Sequence, residues 1–110
     1  MRDNAFIALA SLCFVGGAAI AYAAEMEPAS VTIDNFSFNQ ASLTVKAGTR
    51  VTWTNRDDIP HTVVDADDPK AMKSPPLDTG EHFEHTFVKP GTFHYFCSLH
   101  PHMQGTVVVQ

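Results

Sequence analysis

Short runs of alternating apolar and polar residues, with no helical repeat among them, govern what this chain can fold into. Val31-Thr32-Ile33 and Phe36-Ser37-Phe38 read as one or two strands broken near Asp34-Asn35. Ser42-Leu43-Thr44-Val45-Lys46 is a period-two strand ended by Ala47-Gly48, and Arg50 to Asn55 alternates again, with Val51, Trp53 and Asn55 on one face. Phe83 to Phe87, Thr92 to Cys97 and Gly105 to Val109 complete the set, and Pro90-Gly91 marks a turn between two of these strands. The stretch from Asp65 to Gly80 is irregular and proline-bearing, with room for at most a short helix. Many short strands at this spacing predict an all-β sandwich or barrel.

A chain of 110 residues suits one domain, and no internal repeat or linker divides it. The N-terminal residues differ from the rest. Arg2 is followed by an uncharged run from Ala5 to Ala24 that closes with Ala21-Tyr22-Ala23, an A-x-A pattern of the kind cut by signal peptidase. The run is also long enough for a retained membrane anchor, but Ala, Gly and Ser dominate it rather than Leu and Ile. Residues 1–23 are therefore read as a cleaved signal peptide and residues 24–110 as the folded domain, exported and not stably inserted in a membrane. Cys13 leaves with the signal, so the mature domain keeps one cysteine, Cys97. Exported proteins use cysteines mostly in pairs. A lone thiol in an oxidising compartment needs protection, and metal ligation supplies it.

Tyr95-Phe96-Cys97-Ser98-Leu99-His100-Pro101-His102-Met103 carries the chemistry. Its C-x2-H-x2-M pattern arrives at the end of one strand and runs into the next. A thiolate, an imidazole and a thioether on one loop form a donor mixture suited to copper, whereas zinc has little use for methionine. The trigonal plane lacks one imidazole, and His61, just after Pro60, offers it. The expected site is His61, Cys97 and His100 in plane with Met103 on the axis, holding one copper ion.

From about Val31 to Val109 the chain resembles a small cupredoxin, closest to the amicyanin and pseudoazurin–plastocyanin group. Besides the ligands, the resemblance covers Val51-Thr52-Trp53-Thr54-Asn55, Pro60-His61, Lys89-Pro90-Gly91-Thr92 and Gly105-Thr106-Val107-Val108-Val109. The short C-x2-H-x2-M loop favours amicyanin. The resemblance implies a Greek-key β-sandwich of about seven or eight strands and a type 1 (blue) copper cycling between Cu(I) and Cu(II). It also implies that Asn55 ties the two ligand loops together, and that the edge of His100 is the electron port, ringed by Leu99, Pro101, Ile59 and Pro60.

The functional expectation is a soluble periplasmic electron carrier, with copper storage or delivery as the alternative. Four protein ligands leave no open position for substrate, so enzyme action by this chain is not expected. A formal charge of −5 argues against nucleic acid, whose phosphates demand a basic surface. It suits a monomer meeting redox proteins such as a c-type cytochrome or a periplasmic dehydrogenase or oxidase. Asp57, Asp58, Asp65, Asp67 and Asp68 flank the His61 region as a solvated surface or a docking patch. His102 and His94 are read as surface residues. His85 shares the inward face of its strand with Phe83 and Phe87 and is read as a hydrogen-bonded core histidine.

Overall fold

In the computed structural model, which describes residues 28–110, the alternating runs become eight strands. They are β1 (Ala29–Asp34), β2 (Ser37–Asn39), β3 (Ser42–Val45), β4 (Thr49–Asn55), β5 (Val64–Asp65), β6 (His82–Phe87), β7 (Gly91–Cys97) and β8 (His100–Val109). Among the described residues there is no helix, and none that could cross a membrane. The signal segment expected at residues 1–23 lies outside the described residues.

The strands form two four-stranded sheets, ordered β2-β1-β4-β6 and β3-β8-β7-β5. In each, one neighbouring pair is parallel, β1 with β4 and β3 with β8, so the chain crosses from sheet to sheet rather than meandering. This is the all-β Greek-key sandwich expected from the alternation. Odd-numbered residues of β4 point inward: Val51, Trp53 and Asn55 are all fully buried. Val51 and Trp53 join Tyr95, Cys97, Met103 and Val107 from the facing sheet in one continuous core. Each large apolar side chain removed from water there contributes about 1.5–3 kcal/mol. At the centre, the Trp53 and Tyr95 rings meet edge-to-face at 5.3 Å, and Phe38 meets Tyr95 at 4.7 Å. Trp53 Nε1 and the Tyr95 hydroxyl are buried without a well-formed hydrogen bond. Burial pushes the Tyr95 phenol up to about 12, against a slight lowering by the indole.

Two local features shape the metal end of the sandwich. The β1–β2 turn has Asn35 and Phe36 both at positive φ, 53° and 57°, the backbone signature of a type I′ hairpin. Asparagine tolerates this region; a phenylalanine there costs roughly 1–2 kcal/mol, because its Cβ crowds the following carbonyl. At the β7–β8 hairpin, Cys97 faces His100 across the ladder while Phe96 faces Gln104, so Pro101, His102 and Met103 form an irregular bulge. Strand β8 thus starts at His100 and not at Gly105, where the alternation alone placed it. The two-residue β5 is too short to show any periodicity. Between β5 and β6 the chain is pinned by bridges from His61 to Leu77 and from Val64 to Lys73.

Candidate metal centre

The facing ends of β7 and β8 and the loop after β4 deliver the candidate donors for local reasons. Cys97 closes β7 on its inward face, two residues beyond Tyr95, and Ser98-Leu99 turn the chain so that His100 opens β8 opposite it. His61 sits on the loop after β4, held by paired backbone bonds with Leu77, N to O at 3.2 Å and O to N at 2.8 Å. The structure brings the donor atoms of His61, Cys97 and His100 within 4.8 Å of one another. Cys97 Sγ lies 3.7 Å from Nδ1 of both His61 and His100. Metal–nitrogen and metal–sulfur bonds of about 2.0 and 2.3 Å, opened to about 120°, require a nitrogen–sulfur separation of about 3.7 Å. The cage therefore fits an ion between these three atoms. Met103 is buried in the bulge just beyond His100, 3% exposed. It lies on the same hairpin as Cys97 and His100, and a thioether is a soft donor of the kind copper accepts and zinc does not favour.

What surrounds the donors was less visible in the sequence. Thr62, not among the expected residues, donates its backbone N–H to Cys97 Sγ at 3.4 Å, and its hydroxyl lies 3.7 Å from the same sulfur. Thr62 Oγ1 also accepts the Ser98 N–H at 2.7 Å and meets Ser98 Oγ at 2.8 Å. The tie between the two ligand loops is thus Thr62 to Ser98. Asn55, expected in that role, instead clamps the His61 loop. Its amide donates to the Ile59 and Leu77 carbonyls, both at 2.8 Å, and its carbonyl accepts the Asp57 N–H at 2.9 Å. The Cys97 thiol is raised by burial but lowered more by the Thr62 N–H, the two imidazoles and the Thr62 hydroxyl. The balance brings it down to about 6, so the cage favours thiolate, the form that binds metal.

Asp57 belongs to the site rather than to a solvated patch. Its Oδ2 lies 2.8 Å from His61 Nε2, the nitrogen turned away from the cage. The same carboxylate accepts the Asn35 and Phe36 amides at 2.6 and 2.9 Å. Burial alone would raise the Asp57 pKa, but these amides and His61 outweigh it and hold it below the usual carboxylate range. A carboxylate behind a ligating imidazole fixes its tautomer and orientation. Asp57→Asn is expected to weaken Cu(II) affinity about 10–100-fold, read by competition with a chelator of known affinity.

The remaining residues sort themselves by burial. Asp65 is buried and accepts the Asp67 and Asp68 amides, both at 2.9 Å, a turn-forming role; Asp58, Asp67 and Asp68 are exposed. His94 and His102 are exposed, as their strand positions implied. His85 is half-buried on the expected face and packs edge-on against Phe87 at 4.7 Å, with burial lowering its pKa and Asp65 partly raising it. Phe36, an exposed aromatic that the alternation assigned only to a strand, sits against the rings of His61 and His100.

Comparison with known proteins points the same way. A cupredoxin-like domain model matches residues 5–109. An amicyanin-alpha of Methylorubrum extorquens is 37% identical, in an alignment covering all of both chains. Among solved structures, a purple cupredoxin from Nitrosopumilus maritimus is 36% identical with a TM-score of 0.68, covering 74% of this chain and 99% of that one. A copper-containing nitrite reductase from Thermus scotoductus matches at 33% identity and a TM-score of 0.70 over 76% of this chain, but only 22% of the enzyme.

Proposed function

The chain belongs to the cupredoxin family, and from that premise we propose that it is a periplasmic carrier of single electrons, using one copper ion held by His61, Cys97, His100 and Met103. The observation that carries this reading is the equal 3.7 Å spacing of Cys97 Sγ from both Nδ1 atoms, inside a cage already arranged for an ion.

When bound in such a donor set, copper supplies a one-electron Cu(I)/Cu(II) couple. The chain's own residues do the rest. Bulge, clamp and carboxylate hold the donors in one arrangement, so little rearrangement accompanies the change of charge. Trp53, Tyr95 and the other buried aromatics around Cys97 exclude bulk water, and the Thr62 N–H spreads charge from the sulfur, both levers on the potential. His100 is half-buried while His61 and Cys97 are fully buried, so its edge is the natural electron port. Leu99, Pro60 and Pro101 are exposed around it and Ile59 is half-buried, an apolar collar suited to the small, brief interfaces of redox encounters.

Storage or delivery of copper calls for ligands open to exchange, and the complete burial of His61 and Cys97 favours the carrier instead. A cage of four protein donors likewise favours a carrier over an enzyme, since substrate would need a vacant position. The expected partners are redox proteins with a positive docking surface, matching the chain's net charge of −5. Export rests on the A-x-A segment ending at Ala23.

Adding Cu(II) to the mature protein tests the assignment. One equivalent is expected to give an intensely blue complex and no further colour beyond that point. A pale or colourless complex refutes a type 1 centre.

A further inference from the structure

We infer that Phe36 is a positioning residue of the metal centre, a lid whose ring shields the His61 and His100 imidazoles from water and competing ligands. The inference rests on the metal site proposed above.

Phe36 is a misfit in its own turn. Phe36 occupies the second central position of a type I′ turn at φ 57°, where glycine after asparagine is the strongly preferred residue. A strained non-glycine residue persists there only where the surrounding structure holds it, so what its side chain touches matters. Phe36 is not core: it is 52% exposed and stands outside the buried cluster. Its ring contacts the site instead. The Phe36 centroid lies 5.7 Å from that of His61 at an interplanar angle of 88°, and 5.1 Å from that of His100 at 89°. Both are edge-on contacts of the favourable kind. The two imidazoles are themselves only 5.0 Å apart, so a single ring spans the pair.

The backbone that carries this ring is fastened to the site. Asp57 accepts the Phe36 and Asn35 amides and meets His61 Nε2 with the same carboxylate. Turn and ligand imidazole are therefore tied through one carboxylate, which holds the Phe36 backbone beside the site. A residue kept for hairpin stability would be the one the turn prefers; this one is poor for the turn and well placed for the site.

Phe36→Gly separates the two roles because they carry opposite signs. Glycine relieves the positive φ, so the metal-free variant should melt at or above the wild-type temperature. The same change uncovers the imidazoles. Copper removal by excess bidentate chelator should then quicken about tenfold, the factor matching one lost aromatic contact. Phe36→Tyr, which keeps the ring, should restore the wild-type removal rate. In the metal-free protein, NMR should show the His61 and His100 ring-proton signals displaced in the glycine variant and near wild type in the tyrosine variant. Unmoved histidine signals, or a glycine variant that melts lower and releases copper at the wild-type rate, would overturn the lid. Should the wild-type protein form no blue complex, the metal reading fails, while melting and histidine signals still decide what Phe36 covers.

Discussion

Cys97→Ser is expected to abolish the blue colour and to cut copper affinity by more than the roughly 10–100-fold that follows loss of an outer hydrogen-bond partner. The colour comes from electron density shared between thiolate and copper, which a serine oxygen does not provide. The affinity falls because a hard, protonated hydroxyl replaces a soft anion already formed in the empty cage. Visible absorption and chelator competition on the same samples check both effects. A variant that stayed intensely blue would remove Cys97 from the site.

The same substitution has a consequence without metal. Folding brings the Cys97 thiol down to about 6, against about 8.5 for a free thiol. Between these values the unfolded chain binds more protons than the folded one, so stability rises with pH. The contribution is complete above about 8.5 and is lost as pH falls through about 6. Metal-free wild-type protein should therefore lose stability on acidification across that window, and the serine variant should lack this part of the slope. Denaturant midpoints of both proteins at matched pH values give the difference in slope, which reports the thiolate together with its contacts to the two imidazoles.

The cage of His61, Cys97 and His100 was legible in the sequence in part because Cys97 and His100 share one hairpin, where spacing nearly determines geometry. His61 was legible through its chemistry: a plane of two donors needed one imidazole, and a proline-led histidine stood between strands. The supporting residues were hidden because their partners are distant in the chain. Asp57 is four residues from His61, but what aims its carboxylate is the pair of amides at Asn35 and Phe36, at least 21 positions earlier. Thr62 looks like any strand residue until β7 arrives beside it with Cys97 and Ser98. The resemblance to a family sent Asn55 to the wrong loop, since its direction was right but its amide reaches Ile59 and Leu77 first. Alternation located nearly every strand and erred where periodicity is interrupted, at the bulge from Pro101 to Met103 and in the two residues of β5.

The pairing of β7 with β8 also explains why a change at a residue that offers no donor atom should damage the site. Gly105 faces Tyr95 across the β7–β8 ladder, and the Tyr95 ring lies over it. A Cβ at Gly105 would sit 2.3 Å from Tyr95 Cζ and 2.4 Å from its hydroxyl oxygen, distances that no packed atoms tolerate. Tyr95 is 1% exposed and hemmed in by Phe38 and Trp53, so the ring has no free space to enter. Gly105→Ala is therefore expected to destabilise the fold by about 3 kcal/mol, the upper part of the usual overpacking range. Cys97 lies two residues beyond Tyr95 on the same face, so the displaced strand should also disturb the thiolate and weaken the blue absorption. Tyr95→Leu shortens the side chain that collides and forms a cavity of its own, so its single-variant cost is large. In the double variant the two defects partly fill each other. Thermal unfolding of all four proteins should give a favourable coupling of about 1–3 kcal/mol. Strict additivity would mean that Tyr95 does not rest on Gly105, and the link from β8 to Cys97 would fall with it.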